Sequence, residues 1–190
     1  MLRSIFRLLF RLKGWKLNNQ YPTESQHCVM IGAPHTSNWD LVFTVASLSI
    51  LKIPLRFTIK KEWLKAPVGW FVKPLGAIGI DRSKKGDKKT GMVNQIVPLF
   101  HKNKRLALVI TPEGTRSKAP RIKTGFYHIA HAAQVPIVLA YLDYKNKVAG
   151  IGKVIQPNLS LEETLEQMKA FYSQVPARFP ANNSFIGLEI

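Results

Sequence analysis

Five short apolar-rich runs, Cys28–Gly32, Leu55–Ile59, Gly76–Ile80, Leu106–Ile110 and Val135–Leu142, alternate along the chain with longer stretches of helical character. Runs of about four to eight such residues bounded by turn-forming residues read as strands, and strands alternating with helices stack as layers. The pattern predicts an α/β fold: a single layered domain with a central, mostly parallel or mixed sheet flanked by helices. The 190-residue length suits one core, and 46% hydrophobic against 21% charged residues excludes a disordered chain. No internal repeat or second core is visible.

The helical stretches are Trp39–Ile53, closed by Pro54; Gly86–Asn103, with Pro98 inside it; and Thr124–Gln134. A final helix starts at the capping box Ser160-Leu161-Glu162-Glu163 and runs to about Val175. Lys147–Ile155 reads as an edge hairpin, and the proline-broken tail after it and the last helix is expected to wrap loosely. The single cysteine, Cys28, lies in the first apolar strand; it cannot form an internal disulfide and fits a buried, inert thiol in a reducing compartment. His128 and His131 are three apart on one helical stretch, but no third ligand lies near them in sequence, so no metal is expected.

Residues 1–16 form a unit of their own, an amphipathic membrane-interface helix preceding a domain over 17–190. Arg3, Arg7 and Arg11 fall on one stripe, and Leu2, Ile5, Phe6, Leu8, Leu9, Phe10 and Leu12 cover most of the rest. At ~1.5 Å per residue such a helix is about 20 Å long, too short for a hydrocarbon core of about 30 Å. It is expected to lie in the interface, with Trp15 at headgroup depth and the arginines reaching phosphates. The competing reading is a helix packed on the protein's own core. The net charge of +17 is carried entirely by residues 1–130, since 131–190 hold as many acidic as basic side chains. Such a field attracts an anionic membrane, a nucleic acid or an anionic substrate. Trp63, Trp70 and Phe71 among Lys60, Lys61, Lys65 and Lys73 suit a bilayer surface as well as they suit bases.

Three strand ends carry polar signatures. After the first comes Ala33-Pro34-His35-Thr36-Ser37-Asn38-Trp39-Asp40, at a strand-to-helix turn that can fold His35 back over the first helical turn. There Asp40 can accept the Nδ1 proton, fix the tautomer and leave Nε2 free as a base. Ser37-x-x-Asp40 also matches a helix capping box, and a carboxylate has oxygens enough for both roles. With no nucleophilic serine beside it, the pair points to activation of a substrate hydroxyl. The other two signatures are Asp81-Arg82-Ser83 and Glu113-Gly114-Thr115-Arg116. Ligands of α/β sheets bind beyond the carboxyl ends of strands, so guanidiniums there suit a phosphate. Gly114 permits close backbone approach to an anion, and Glu113 can hold a hydroxyl or brace an arginine.

His35-Thr36-Ser37-Asn38-Trp39-Asp40, Gly76-x-x-x-Ile80-Asp81-Arg82-Ser83, Pro112-Glu113-Gly114-Thr115-Arg116-Ser117 and Val135-Pro136-Ile137-Val138 resemble, in order, the four blocks of the glycerolipid acyltransferase family, which includes 1-acylglycerol-3-phosphate acyltransferases. The resemblance implies transfer of a fatty acyl group from acyl-CoA or acyl carrier protein to a hydroxyl of a lysophospholipid-like acceptor, with no tightly bound cofactor and no metal. It implies His35 as general base, Asp40 as its orienting partner, and Arg82, Glu113, Gly114, Thr115 and Arg116 as binders of the acceptor's phosphate end. Together with the basic amphipathic start, this leads to the expectation of a peripheral or monotopic protein at the cytoplasmic side of a phospholipid membrane, with no nucleic-acid partner. Pro34, Gly79, Thr111 and Leu139 depart from common family residues at acceptor-facing or supporting positions. Two other readings stand beside it: a thioester or lipid hydrolase using the same His–Asp pair with water as acceptor, and a basic membrane- or nucleic-acid-binding module.

Overall fold

The computed structural model describes residues 2–81 and 91–189. Its strands are β1 (Lys16–Leu17), β2 (His27–Gly32), β3 (Leu55–Lys60), β4 (Ala77–Ile80), β5 (Leu106–Ile110), β6 (Ile137–Asp143) and β7 (Val148–Ile155). The helices are α1 (Leu2–Leu12), α2 (Trp39–Ile50), α3 (Val68–Leu75), α4 (Met92–Lys102), α5 (Gly125–Ala133) and α6 (Leu161–Tyr172). One seven-stranded sheet has the order β1-β7-β6-β2-β5-β3-β4. β2 pairs in parallel with β5 and β6, β3 in parallel with β5 and β4, and β7 runs antiparallel to β6. The expected layered α/β domain with a mixed sheet is what forms.

From Cys28 to Ile31 β2 is apolar because it is covered on both faces. Val29 and Ile31 enter the core shared with Phe100, Phe126, Met168 and Tyr172, while Cys28 and Met30 face Val45, Leu48 and Leu55. Each of these β2 side chains is fully buried, worth about 1.5–3 kcal/mol for a large aliphatic one. Burial also holds the Cys28 thiol well above the usual thiol range, consistent with an inert group. The Tyr172 hydroxyl donates to the carbonyls of Ile31 and Ala140, tying α6 to β2 and β6 just below the carboxyl ends of those strands.

Several boundaries differ from the sequence reading. β7 is not the sheet edge: Lys16 and Leu17 pair with Val148 and Ala149 beyond it. The tail is well packed, with Asn183, Ser184 and Phe185 buried and the Ser184 hydroxyl accepting from the Ala119 amide at 2.9 Å. Of the expected helix over 86–103, Met92–Lys102 is helical with Pro98 inside it; residues 86–90 lie outside the described residues.

The amino-terminal helix also departs in part. Phe10 and Trp15 are buried, at 2% and 7% exposure, against Phe43 of α2. Trp15 therefore sits in the core and not at headgroup depth. Arg3 donates to the carbonyl of Leu75, which ties α1 to the end of α3, and Arg7 turns to the Ser4 hydroxyl. Ile5, Leu8 and Leu12 remain on the outer face.

Candidate active site

The sheet order sets three carboxyl ends side by side, those of β6, β2 and β5, and the loops that leave them build the site. From β2 the chain runs through Ala33–Asn38 into α2, with Asp40 in the first helical turn. His35 Nδ1 lies 3.1 Å from Asp40 Oδ2, and the same oxygen accepts the amide hydrogens of Thr36 and Ser37 at 2.9 Å each. Asp40 thus reaches back to the Ser37 amide, one half of the expected capping box, while it holds the imidazole; the reciprocal half does not form, since Ser37 Oγ accepts from the Trp39 amide at 3.2 Å and Asn38 stands at the N-cap. The amides can only donate, so the oxygen acts as acceptor, Nδ1 carries hydrogen and Nε2 is left as the basic nitrogen. Asp40 is buried, while His35 keeps 21% of its side-chain surface open.

Glu113 comes from the neighbouring β5 loop and points beneath His35. Its Oε1 accepts the His35 amide hydrogen at 2.9 Å, and Oε2 has no hydrogen-bond partner among the described residues. Burial pushes its carboxyl up to about 7, against the opposing pull of the His35 amide and ring. To the two roles read from sequence, a hydroxyl ligand or an arginine brace, the structure adds a third contact: Glu113 braces the His35 backbone.

Gly114 has φ +65°, a left-handed turn that favours glycine, and the Lys123 side chain passes close over it. Arg116 donates to Asn38 Oδ1, joining the β5 loop to the His35 loop, and Thr115 Oγ1 accepts the Ser117 amide at 3.3 Å. Arg82 lies outside the described residues.

His35, Asp40, Gly114, Thr115, Arg116 and Lys123 line one cavity of about 880 Å³. Its floor continues along α2 past Leu41, Thr44, Leu48 and Leu51 to Phe57 and Val109. His35 is therefore set among polar groups in a cleft whose lining along α2 is largely apolar. Among the described residues no cluster of histidine, cysteine or carboxylate could hold a metal ion. Lys123 and Tyr144 were not singled out by sequence. Lys123 sits in the loop before α5, and Tyr144, just after β6, donates its hydroxyl hydrogen to Asp40 Oδ1. Only the strand order puts Tyr144 beside Asp40, and no local pattern announces it.

A family model described as Acyltransferase matches residues 16–142. The 1-acyl-sn-glycerol-3-phosphate acyltransferase of Escherichia coli (strain K12) is 33% identical over 141 residues, 70% of this chain and 55% of that protein. Those of Salmonella typhimurium (strain LT2) and Salmonella typhi are each 31% identical over 140 residues, with the same coverage. The chain thus spans about half the length of the curated relatives it matches.

Proposed function

Because this chain belongs to the glycerolipid acyltransferase family, we propose that it moves a fatty acyl group from an acyl thioester to a hydroxyl of a lysophospholipid-like acceptor, with 1-acyl-sn-glycerol-3-phosphate as the acceptor that its relatives' names favour. The observation that carries the reading is a histidine held through Nδ1 by Asp40, with 21% of its side-chain surface open, lining a cleft that also carries an apolar stretch of α2. Neutral His35 takes the hydroxyl proton as the acceptor oxygen attacks the thioester carbonyl. The new C–O bond forms, the tetrahedral intermediate collapses, the C–S bond breaks, and the thiolate of CoA or of an acyl carrier protein leaves. It takes up the proton held by the imidazolium, which Asp40 has stabilised meanwhile.

We assign the phosphate end of the acceptor to Arg82, Gly114, Thr115 and Arg116, with Glu113 holding the His35 backbone. A guanidinium fork and an open glycine backbone are the groups a phosphate needs. The donor's acyl chain is assigned to the floor along α2, where Leu41, Leu48 and Leu51 replace water with apolar surface. Co-binding of both substrates turns a bimolecular encounter into a positioned, near-unimolecular reaction.

The lipid substrates imply a membrane surface, and the exposed Ile5, Leu8 and Leu12 of α1, with Trp63, Trp70 and Phe71 in and before α3, supply an apolar face for it. No helix among the described residues is long and apolar enough to cross a membrane. The reading is therefore of a peripheral protein at the cytoplasmic face, where such thioesters are found.

The test is to incubate purified protein with a fatty acyl thioester and a panel of lysolipids and to identify the product by mass. An acylated lysolipid dependent on His35 supports the proposal. Free fatty acid released at the same rate with and without a lysolipid would show a hydrolase.

A further inference from the structure

Asp40 has one oxygen that the His35 loop does not use. Oδ2 takes Nδ1 of His35 and the amides of Thr36 and Ser37, all from its own loop. Oδ1 instead accepts from the Tyr144 hydroxyl, 104 residues away in sequence. A carboxylate held through one oxygen can still swing its other about the Cβ–Cγ bond. A donor on each oxygen fixes the plane, and with it the direction in which the imidazole is pulled. We propose that Tyr144 is a positioning residue for the His35–Asp40 pair, and that Trp15 holds Tyr144 in place, so that the docked amino-terminal segment is part of the catalytic machinery.

The packing supports each link. Trp15 meets the Tyr144 ring edge-on, at 5.0 Å and 89° between planes, and lies 4.6 Å from Phe43 of α2. On its other side the Tyr144 amide donates to the Pro176 carbonyl at 2.9 Å, and the Arg178 guanidinium lies 5.9 Å from the ring centroid. Such a box leaves the phenol little freedom to turn away. Burial first, then the Asp40 carboxylate, pushes the Tyr144 hydroxyl above the usual phenol range, so it keeps its proton and remains a donor wherever His35 works as a base. Tyr144 neither loses a proton nor touches substrate; its effect passes through Asp40. Both Trp15 and Tyr144 lie just outside the stretch that the family model matches, so the pattern that carries the dyad does not include them.

The inference rests on the reading of His35 as base, and the experiment separates the two. Tyr144→Phe keeps the ring and removes only the hydroxyl. With thioester and lysolipid, kcat should fall about ten- to a hundred-fold, as for loss of a hydrogen bond to a charged group. KM for both substrates should stay within about two-fold. In isotope-labelled protein the downfield Nδ1 proton resonance of His35 should move or broaden. Trp15→Leu should act in the same direction more weakly, and the double variant should lose less than the product of the two single losses.

A Tyr144→Phe protein with parental kcat and an unmoved Nδ1 resonance overturns the inference. So does one whose kcat, KM and melting temperature all change while that resonance stays put, because the hydroxyl is then only structural. If Tyr144→Phe does not fold, Trp15→Leu decides by the same resonance, and no movement there overturns it. Turnover retained by a folded His35→Ala protein fails the base reading and this inference with it. An inactive His35→Ala protein beside a parental Tyr144→Phe protein fails this inference alone.

Discussion

At the scale of single residues the site is a study in how one loop satisfies its own polar groups. Asp40 collects donors that would otherwise be orphaned at the start of α2, and the same carboxylate holds His35 through Nδ1, so helix closure and the orientation of the imidazole share one side chain. Replacing His35 by Ala removes only the base. Turnover should drop by about 100- to 10,000-fold, the usual contribution of general base catalysis, with the melting temperature within a few degrees of the parent. Asp40→Asn should lose as much activity and also some stability, since the amide offers only one oxygen to the donors that the carboxylate serves; a folded variant with parental kcat would refute the orienting role. Glu113 gives a different signature. Its folded carboxyl titrates near 7 against an ordinary value of 4.5, so between those values the unfolded chain sheds a proton that the folded one keeps. Stability contributed by this group is present below pH 4.5 and falls as pH rises, by about 3 kcal/mol once pH exceeds 7. Glu113→Gln retains an oxygen for the His35 amide and abolishes the titration. Its melting temperature relative to the parent should climb between about pH 5 and pH 8, and an offset independent of pH would show that Glu113 does not titrate in that window.

At the scale of elements, local signals were readable wherever a segment's own residues decide its structure. The capping box predicted from Ser160 and Glu163 forms on both sides, Ser160 Oγ accepting the Glu163 amide at 3.2 Å and Glu163 accepting the Ser160 amide at 2.8 Å. Ser160→Ala should cost about 1 kcal/mol and a few degrees of melting temperature with kcat unchanged, because Ser160 does not line the His35 cleft. The β2 turn and the glycine of the β5 loop were readable for the same reason, as each is a local solution to a tight turn carrying a polar group. Elements whose structure is lent by partners were not. Lys16 and Leu17 have no strand pattern and become β1 because β7 offers an unpaired edge. The tail looks irregular in sequence, yet Asn183 donates to the Tyr172 carbonyl and Phe185 fills the core beside that ring. Trp15 and Tyr144 belong to this class, since their meeting depends on α1 docking against α2 and on β6 lying next to β2. The candidate site was thus legible as two strand-end motifs, and illegible in the residues that hold those motifs together from a distance.

At the scale of the whole molecule, the first two-thirds of the sequence carries both the excess positive charge and an unusual set of exposed apolar residues. Trp70 is 72% exposed, Phe71 61% and Trp63 60%, while Leu12 at 73% and Leu8 at 57% lie on α1, which Arg3 links to α3. In water alone this arrangement wastes apolar area; against a bilayer, each large side chain that leaves water can return about 1.5–3 kcal/mol, with the lysines and arginines nearby meeting anionic headgroups. Removing α1 outright is a poor test, because Phe10 and the cover over Phe43 go with it and the loss of binding would be confounded with a damaged core. Surface replacement is the discriminating experiment. Ile5, Leu8 and Leu12 changed together to Ser, or Trp63, Trp70 and Phe71 changed together to Ser, should each lower affinity for anionic phosphatidylglycerol vesicles by at least about ten-fold while leaving the melting temperature near the parent's. The remaining binding should then be mainly electrostatic and should vanish between about 0.01 M and 0.15 M salt, as the screening length falls from ~30 Å to ~8 Å. Turnover of a short-chain, water-dispersed thioester and lysolipid should be unaffected in both variants, because neither set of side chains lines the His35 cleft. Vesicle affinity equal to the parent's in both variants would remove the apolar face from the account and leave charge alone to bring the protein to lipid.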